Sequence, residues 1–162
     1  MRPLVLIVGP AGAGKTTAVK AVSIHPVASA DALDHGRFEL PDGRKVCLCA
    51  LPAQHLAVHD LRLQAVGVVV LCDGMAAGAT SDLAHYVNRF RDQVNDHTLV
   101  VGITRTDSKG GAVLNSISTK LAQLGANIPV LEVDARDGLQ VAILLRILMD
   151  RVAARWTRDR AE

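Results

Sequence analysis

The residues most able to do chemistry lie close to the N-terminus. Gly9-Pro10-Ala11-Gly12-Ala13-Gly14-Lys15-Thr16 fits the pattern G-x-x-x-x-G-K-[ST] in full. Glycines at these points let successive backbone N–H groups turn toward one anion with no Cβ in the way. A helix beginning behind the loop would add the positive end of its dipole. Lys15 supplies a point charge for the outer phosphates of a nucleotide, and Thr16 offers a hydroxyl to Mg²⁺. Gly9, Gly12, Ala13, Gly14, Lys15, Thr16 and Thr17 are therefore the candidate phosphate contacts, with Thr16 the metal ligand.

Such a loop works only when a strand delivers it and a helix leaves it. Leu4 to Val8 is a short apolar run of the kind buried on both faces of a sheet, and Thr16 to Val22 reads as a helix. Arg37–Leu40 and Lys45–Cys49 read as strands joined by the turn Pro41-Asp42-Gly43. Further strands are expected at Gly67–Cys72, Thr98–Ile103 and Pro129–Val133. Helices are expected at Gln54–Gln64, Ser81–Val94 (capped by Thr80 or Ser81), Gly111–Leu124 (ended by Gly125) and Leu139–Trp156. This alternation predicts a three-layer α/β/α sandwich over residues 1–162 as a single domain. Its sheet is mostly parallel and six-stranded, with one antiparallel hairpin strand.

Two later segments address base recognition. The strand ending at Ile103 runs into Thr104-Arg105-Thr106-Asp107, and the next runs into Asp134-Ala135-Arg136. Guanine presents N1–H and its N2 amine on one edge, and the Asp107 carboxylate can accept both. Adenine offers neither donor there, and a buried carboxylate left unpaired discriminates by about 10⁴ or more. The backbone N–H of Ala135 can bond guanine O6. On these residues the chain resembles the small Ras-like GTPases. More closely, it looks like the compact bacterial branch related to the gliding-motility GTPase that works with roadblock-fold partners. The resemblance implies a P-loop NTPase fold, GTP/GDP with Mg²⁺ as ligands, and a roadblock-fold regulator as partner. It also implies base contacts from Thr104, Arg105, Asp107, Asp134, Ala135 and Arg136. Arg105 stands where that family has lysine.

The same resemblance marks departures. Pro52 and Gln54 match the segment after the second hairpin strand, whereas Ala50, Leu51 and Ala53 do not. Many relatives carry an aspartate near the metal at the position of Ala50, the bacterial branch typically has Gly-Thr-Pro-Gly-Gln at Ala50 to Gln54, and the glycine at Ala53 is the one whose N–H meets the γ-phosphate. The metal-binding threonine of the first switch has no counterpart, because the chain has no threonine between Thr17 and Thr80; Ser29 is the only hydroxyl from His25 to Gly36. Gln54, the catalytic candidate beside Lys15, either orients the attacking water or caps a helix. Asp73, at the end of Val68-Val69-Val70-Leu71-Cys72, is either a metal residue of Walker B type or a strand-end residue. His55 and His59 have the i, i+4 spacing of a metal pair, or are exposed.

Three functions fit: a slow guanine-nucleotide switch, a pseudo-GTPase scaffold with little or no hydrolysis, and a small P-loop ATPase or kinase. The last would need an arginine-bearing lid, and no insertion is large enough for one. The net charge of +2 argues for neither nucleic acid nor membrane as partner. No apolar run reaches the roughly 18 residues of a membrane span, and a cytoplasmic location is expected. Cys47, Cys49 and Cys72 read as reduced, buried thiols.

Overall fold

The computed structural model describes residues 2–25, 27–30, 33–54, 58–106 and 110–162. Asp107 and His55 lie outside the described residues. The chain begins with β1 (Leu4–Val8), whose apolar run alternates between two cores: Val5 and Ile7 pack on one face of the sheet, Leu6 and Val8 on the other. After the loop comes α1 (Lys15–Val22). Three strands follow, β2 (Ala28–Ala30), β3 (Leu33–Glu39) and β4 (Lys45–Ala50), and then α2 (Val58–Gln64). The rest is β5 (Ala65–Asp73), α3 (Ala79–Arg89), α4 (Arg91–Asn95), β6 (Leu99–Thr104), α5 (Gly110–Gln123), β7 (Val130–Glu132) and α6 (Gly138–Asp159).

The sheet has seven strands in the order β2-β3-β4-β1-β5-β6-β7. All neighbouring pairs from β4 to β7 are parallel. β3 is antiparallel to both β2 and β4, so it alone runs against the rest. The sequence reading anticipated six strands; the added one is the three-residue β2, which carries Ser29 opposite Asp34. Helices α1 and α6 cover one face through Val19, Leu144, Leu145 and Leu148, while α3 and α5 cover the other through Leu83, Val87, Ile117 and Leu121. That is a three-layer α/β/α arrangement.

From β1 the chain turns to one side to form β2, β3 and β4, then crosses to the other side of β1 to form β5. Strand order therefore reverses at β1. In open parallel sheets this leaves a crevice beyond the carboxyl ends of the strands. The loop 9–14 opens into that crevice.

Some expected elements differ: β3 begins at Leu33 rather than Arg37, and Gln54, expected to open a helix, lies in a turn. The segment expected as one helix from Ser81 to Val94 breaks at Phe90, whose backbone leaves helical geometry (φ −108, ψ 37) as its ring enters the core at 1% exposure. Arg62 Nη1 donates to the Arg89 carbonyl that the break releases, at 3.1 Å. The helix also starts without a side-chain cap, behind Gly78, so neither Thr80 nor Ser81 caps it. In α6 the cap is Asp137, which accepts from the Leu139 and Gln140 amides.

Candidate functional site

The loop between β1 and α1 takes its shape from glycines in conformations closed to other residues. Gly9 has φ +152, and a Cβ there would run into the Leu71 carbonyl oxygen of β5. Gly14 sits left-handed at φ +96 immediately before α1, where a Cβ would stand 3.0 Å from Ala135 Cβ. Ala13 N–H closes the turn on the Pro10 carbonyl at 3.2 Å. Lys15, the first residue of α1, folds back over this turn, and its Nζ donates to the Gly9 and Pro10 carbonyls, both at 2.8 Å. Burial lowers its pKa from the usual lysine value. The ammonium thus stands half-buried at the mouth of a loop followed directly by a helix N-terminus, an arrangement that attracts an anion.

Beside the loop lies a cavity of about 720 Å³. Its wall gathers most of the residues singled out in the sequence: Gly12, Ala13, Gly14 and Thr17 from the loop and α1, Thr104 and Arg105 from the end of β6, and Asp134, Ala135 and Arg136 from the turn after β7. Thr106, Glu132, Val133 and Gln140 complete it. The cavity lies within the range of sites that hold small ligands and cofactors.

Three of these residues do structural work of a kind the sequence did not announce. Thr104 is 3% exposed, and its hydroxyl lies 2.9 Å from the Ala13 carbonyl and 3.1 Å from the Cys72 carbonyl. It ties the loop to the sheet. Arg105 adopts φ +54, donates through Nη2 to the Gly12 carbonyl and pairs with Asp73 at 2.9 Å. Asp73 also accepts from the Met75 amide at 2.9 Å. Its carboxylate is therefore engaged with the β6 loop, and among the described residues no group of three or more His, Cys, Asp or Glu is placed to hold a metal. Asp134 accepts from the Arg136 amide at 2.9 Å and from the Arg136 guanidinium at 3.0 Å through two nitrogens, which lowers its pKa. The Asp134 amide donates to Gln140 Oε1 at 2.9 Å. The turn that presents Ala135, buried at 6%, is thereby fixed by its own neighbours.

Gln54 is exposed in the turn after β4 and does not line the cavity. Ala53 lies with Gly9, Leu51 and Pro52 along a smaller cleft against Tyr86 and Phe90. His59 falls on α2.

Thr16 holds a partner that the sequence reading missed. Its Oγ1 donates to Asp34 Oδ2 at 2.5 Å, from the second residue of α1 to the second residue of β3. The turn at 41–43 already contained the signal. Once Glu39 faces Lys45, the antiparallel register runs on to set Asp34 opposite Ala50. The expected strand began at Arg37, four residues after β3 does, and so left Asp34 out.

No protein-family model matches this sequence, and no curated protein matches it either. Among the described residues no helix is long and apolar enough to cross a membrane.

Proposed function

We propose that the chain is a P-loop nucleotide-binding protein of the small-GTPase type, holding GTP or GDP in the cavity between the 9–14 loop and the turns after β6 and β7. The observation that carries this reading is the Lys15 ammonium folded onto the Gly9 and Pro10 carbonyls at the start of α1, in a loop whose residues Gly12, Ala13 and Gly14 line the cavity. Phosphates replacing those carbonyls as partners of Nζ would lie against the loop amides and the α1 N-terminus. The base would then reach toward Thr104, Arg105 and the Asp134–Arg136 turn. Guanine is chosen over adenine on the chemistry of the Asp107 carboxylate and the Ala135 amide.

The donors around Thr16 are oxygens, which suits Mg²⁺; when bound, the ion would neutralise charge on the outer phosphates. Hydrolysis is assigned to Gln54 as the residue orienting water. Its exposed position and the alanines at 50 and 53 support slow intrinsic turnover. The same two features favour a second reading, a pseudo-GTPase that works through protein contacts. In either case the partner proposed by resemblance is a roadblock-fold regulator. A kinase or ATPase built on Asp73 is disfavoured by its pairing with Arg105.

Thermal-shift titration with GDP, GTP and ATP tests the reading, because a ligand that binds only the folded chain raises its stability by about 2.7 kcal/mol at 100 times its Kd. Guanine nucleotides are expected to raise the melting temperature and ATP to leave it unchanged. Equal shifts would remove the guanine assignment, and no shift with any nucleotide would remove the P-loop assignment.

A further inference from the structure

We propose that Asp34 supplies the carboxylate of a Mg²⁺ site built with Thr16, taking over from the neighbouring strand a role that Ala50 cannot perform; this rests on the nucleotide reading above. The register is the first support. Asp34 and Ala50 face each other directly across the β3–β4 ladder. Opposed residues of an antiparallel pair send their side chains to the same face of the sheet, with Cβ atoms about 5 Å apart. Ala50 packs in the cluster formed with Ala13, Ala18 and Val19, on the α1 side of the sheet. A carboxylate at position 34 therefore faces the same space beside α1 as the side chain at position 50.

The observed contact is the second support. Asp34 Oδ2 already lies 2.5 Å from Thr16 Oγ1. Two oxygens bound to adjacent octahedral positions of Mg²⁺, each about 2.05 Å from the ion, stand about 2.9 Å apart. The pair would need to open by only a few tenths of an ångström. Mg²⁺ is commonly held by one or two carboxylates together with substrate phosphates and water. One carboxylate, one hydroxyl and a nucleotide phosphate meet that need.

The test is release of the fluorescent nucleotide mant-GDP from the full chain, in Mg²⁺ and in EDTA, joined to electron paramagnetic resonance of bound Mn²⁺. In the wild-type chain Mg²⁺ is expected to slow release by about tenfold or more, with one Mn²⁺ held per GDP-loaded chain. Asp34→Asn keeps the shape and can still meet the Thr16 hydroxyl. In EDTA it is expected to bind mant-GDP at least as tightly as the wild type, because one negative charge near the phosphates is gone, and it is expected to lose the Mg²⁺ effect and the bound Mn²⁺ signal. Asp34→Cys gives a separate readout: Mg²⁺ no longer slows release, and Cd²⁺, which favours thiolate, does. An Asp34→Asn chain that keeps the full Mg²⁺ effect overturns the proposal. So does a wild-type chain that binds mant-GDP with no response to Mg²⁺, an outcome that leaves the nucleotide reading standing. A wild-type chain that binds no mant-GDP under either condition overturns both.

Discussion

Replacing Thr104 with valine removes one hydroxyl at the point where the glycine-rich loop is fastened to the sheet. The side chain is buried, and the Ala13 and Cys72 carbonyls are its acceptors. Valine nearly preserves the shape, so little of the loss comes from packing; the methyl that stays still sits against the loop near Gly14. A hydrogen bond of this kind contributes about 1 kcal/mol net, and a buried carbonyl left without its donor costs about 1–3 kcal/mol. The expected loss is about 2 kcal/mol, or roughly 4–8 °C in melting temperature for a chain of this length. The loop also loses its tether, so affinity for GDP is expected to fall by about tenfold, because binding must then order the loop as well. Thermal melts with and without GDP measure both effects. Thr104→Ser, which keeps the hydroxyl, is expected to retain GDP affinity. A Thr104→Val chain that melts within about 1 °C of wild type and binds GDP equally well would refute the assignment of this hydroxyl as the anchor of the loop.

Asp107→Asn is expected to weaken GTP binding and to favour xanthine nucleotides, whose carbonyl replaces the guanine amine; unchanged GTP affinity would place base recognition elsewhere. Burial raises the Cys49 and Cys72 thiols from the usual 9.0 to about 11 and about 12. The fold keeps protons there that the unfolded chain releases, so this contribution to stability is full below about pH 9 and is lost as pH rises through 11 to 12. Urea unfolding between pH 8 and 11 checks this, and stability that stays level across that range would contradict it. Single-turnover GTP hydrolysis by the isolated chain is expected at or below about 10⁻⁴ to 10⁻³ s⁻¹. Gln54→Ala is expected to lower any rate that a partner stimulates, and fast turnover by the chain alone would contradict that account.

The parts of the fold legible in the sequence were those written in local pattern. The apolar run of β1 gave its limits as found, Leu4 to Val8. Gly125, with φ +65, ends α5 as expected. The turn at 41–43 located the hairpin. What escaped depends on tertiary contact. Nothing local marks Phe90 as a helix break, because the break comes from burying its ring and from the hold of Arg62 on the Arg89 carbonyl. Asp34-His35-Gly36 are poor strand formers, yet pairing with Leu48, Cys49 and Ala50 draws them into β3. That tertiary override hid the carboxylate beside Thr16. The candidate site was more legible than its wiring. The loop and the two later turns were chosen by motif, and Gly12, Ala13, Gly14, Thr17, Thr104, Arg105 and Asp134–Arg136 line one cavity, while Gly9, Lys15 and Thr16 do not. The Arg105 bridge from Gly12 to Asp73 needed three separated segments to be seen together.

The claim that the cavity takes a guanine nucleotide on Lys15 is tested most directly by equilibrium binding of mant-GDP and mant-ATP to the wild-type chain and to Lys15→Ala. The lysine projects over a turn rather than into the core, so the variant is expected to fold, as circular dichroism would show. The account predicts saturable mant-GDP binding by the wild type, far weaker binding of mant-ATP, and loss of mant-GDP binding in Lys15→Ala. Wild-type affinity for mant-GDP in a folded Lys15→Ala chain, or equal affinity of the wild type for both nucleotides, would contradict it.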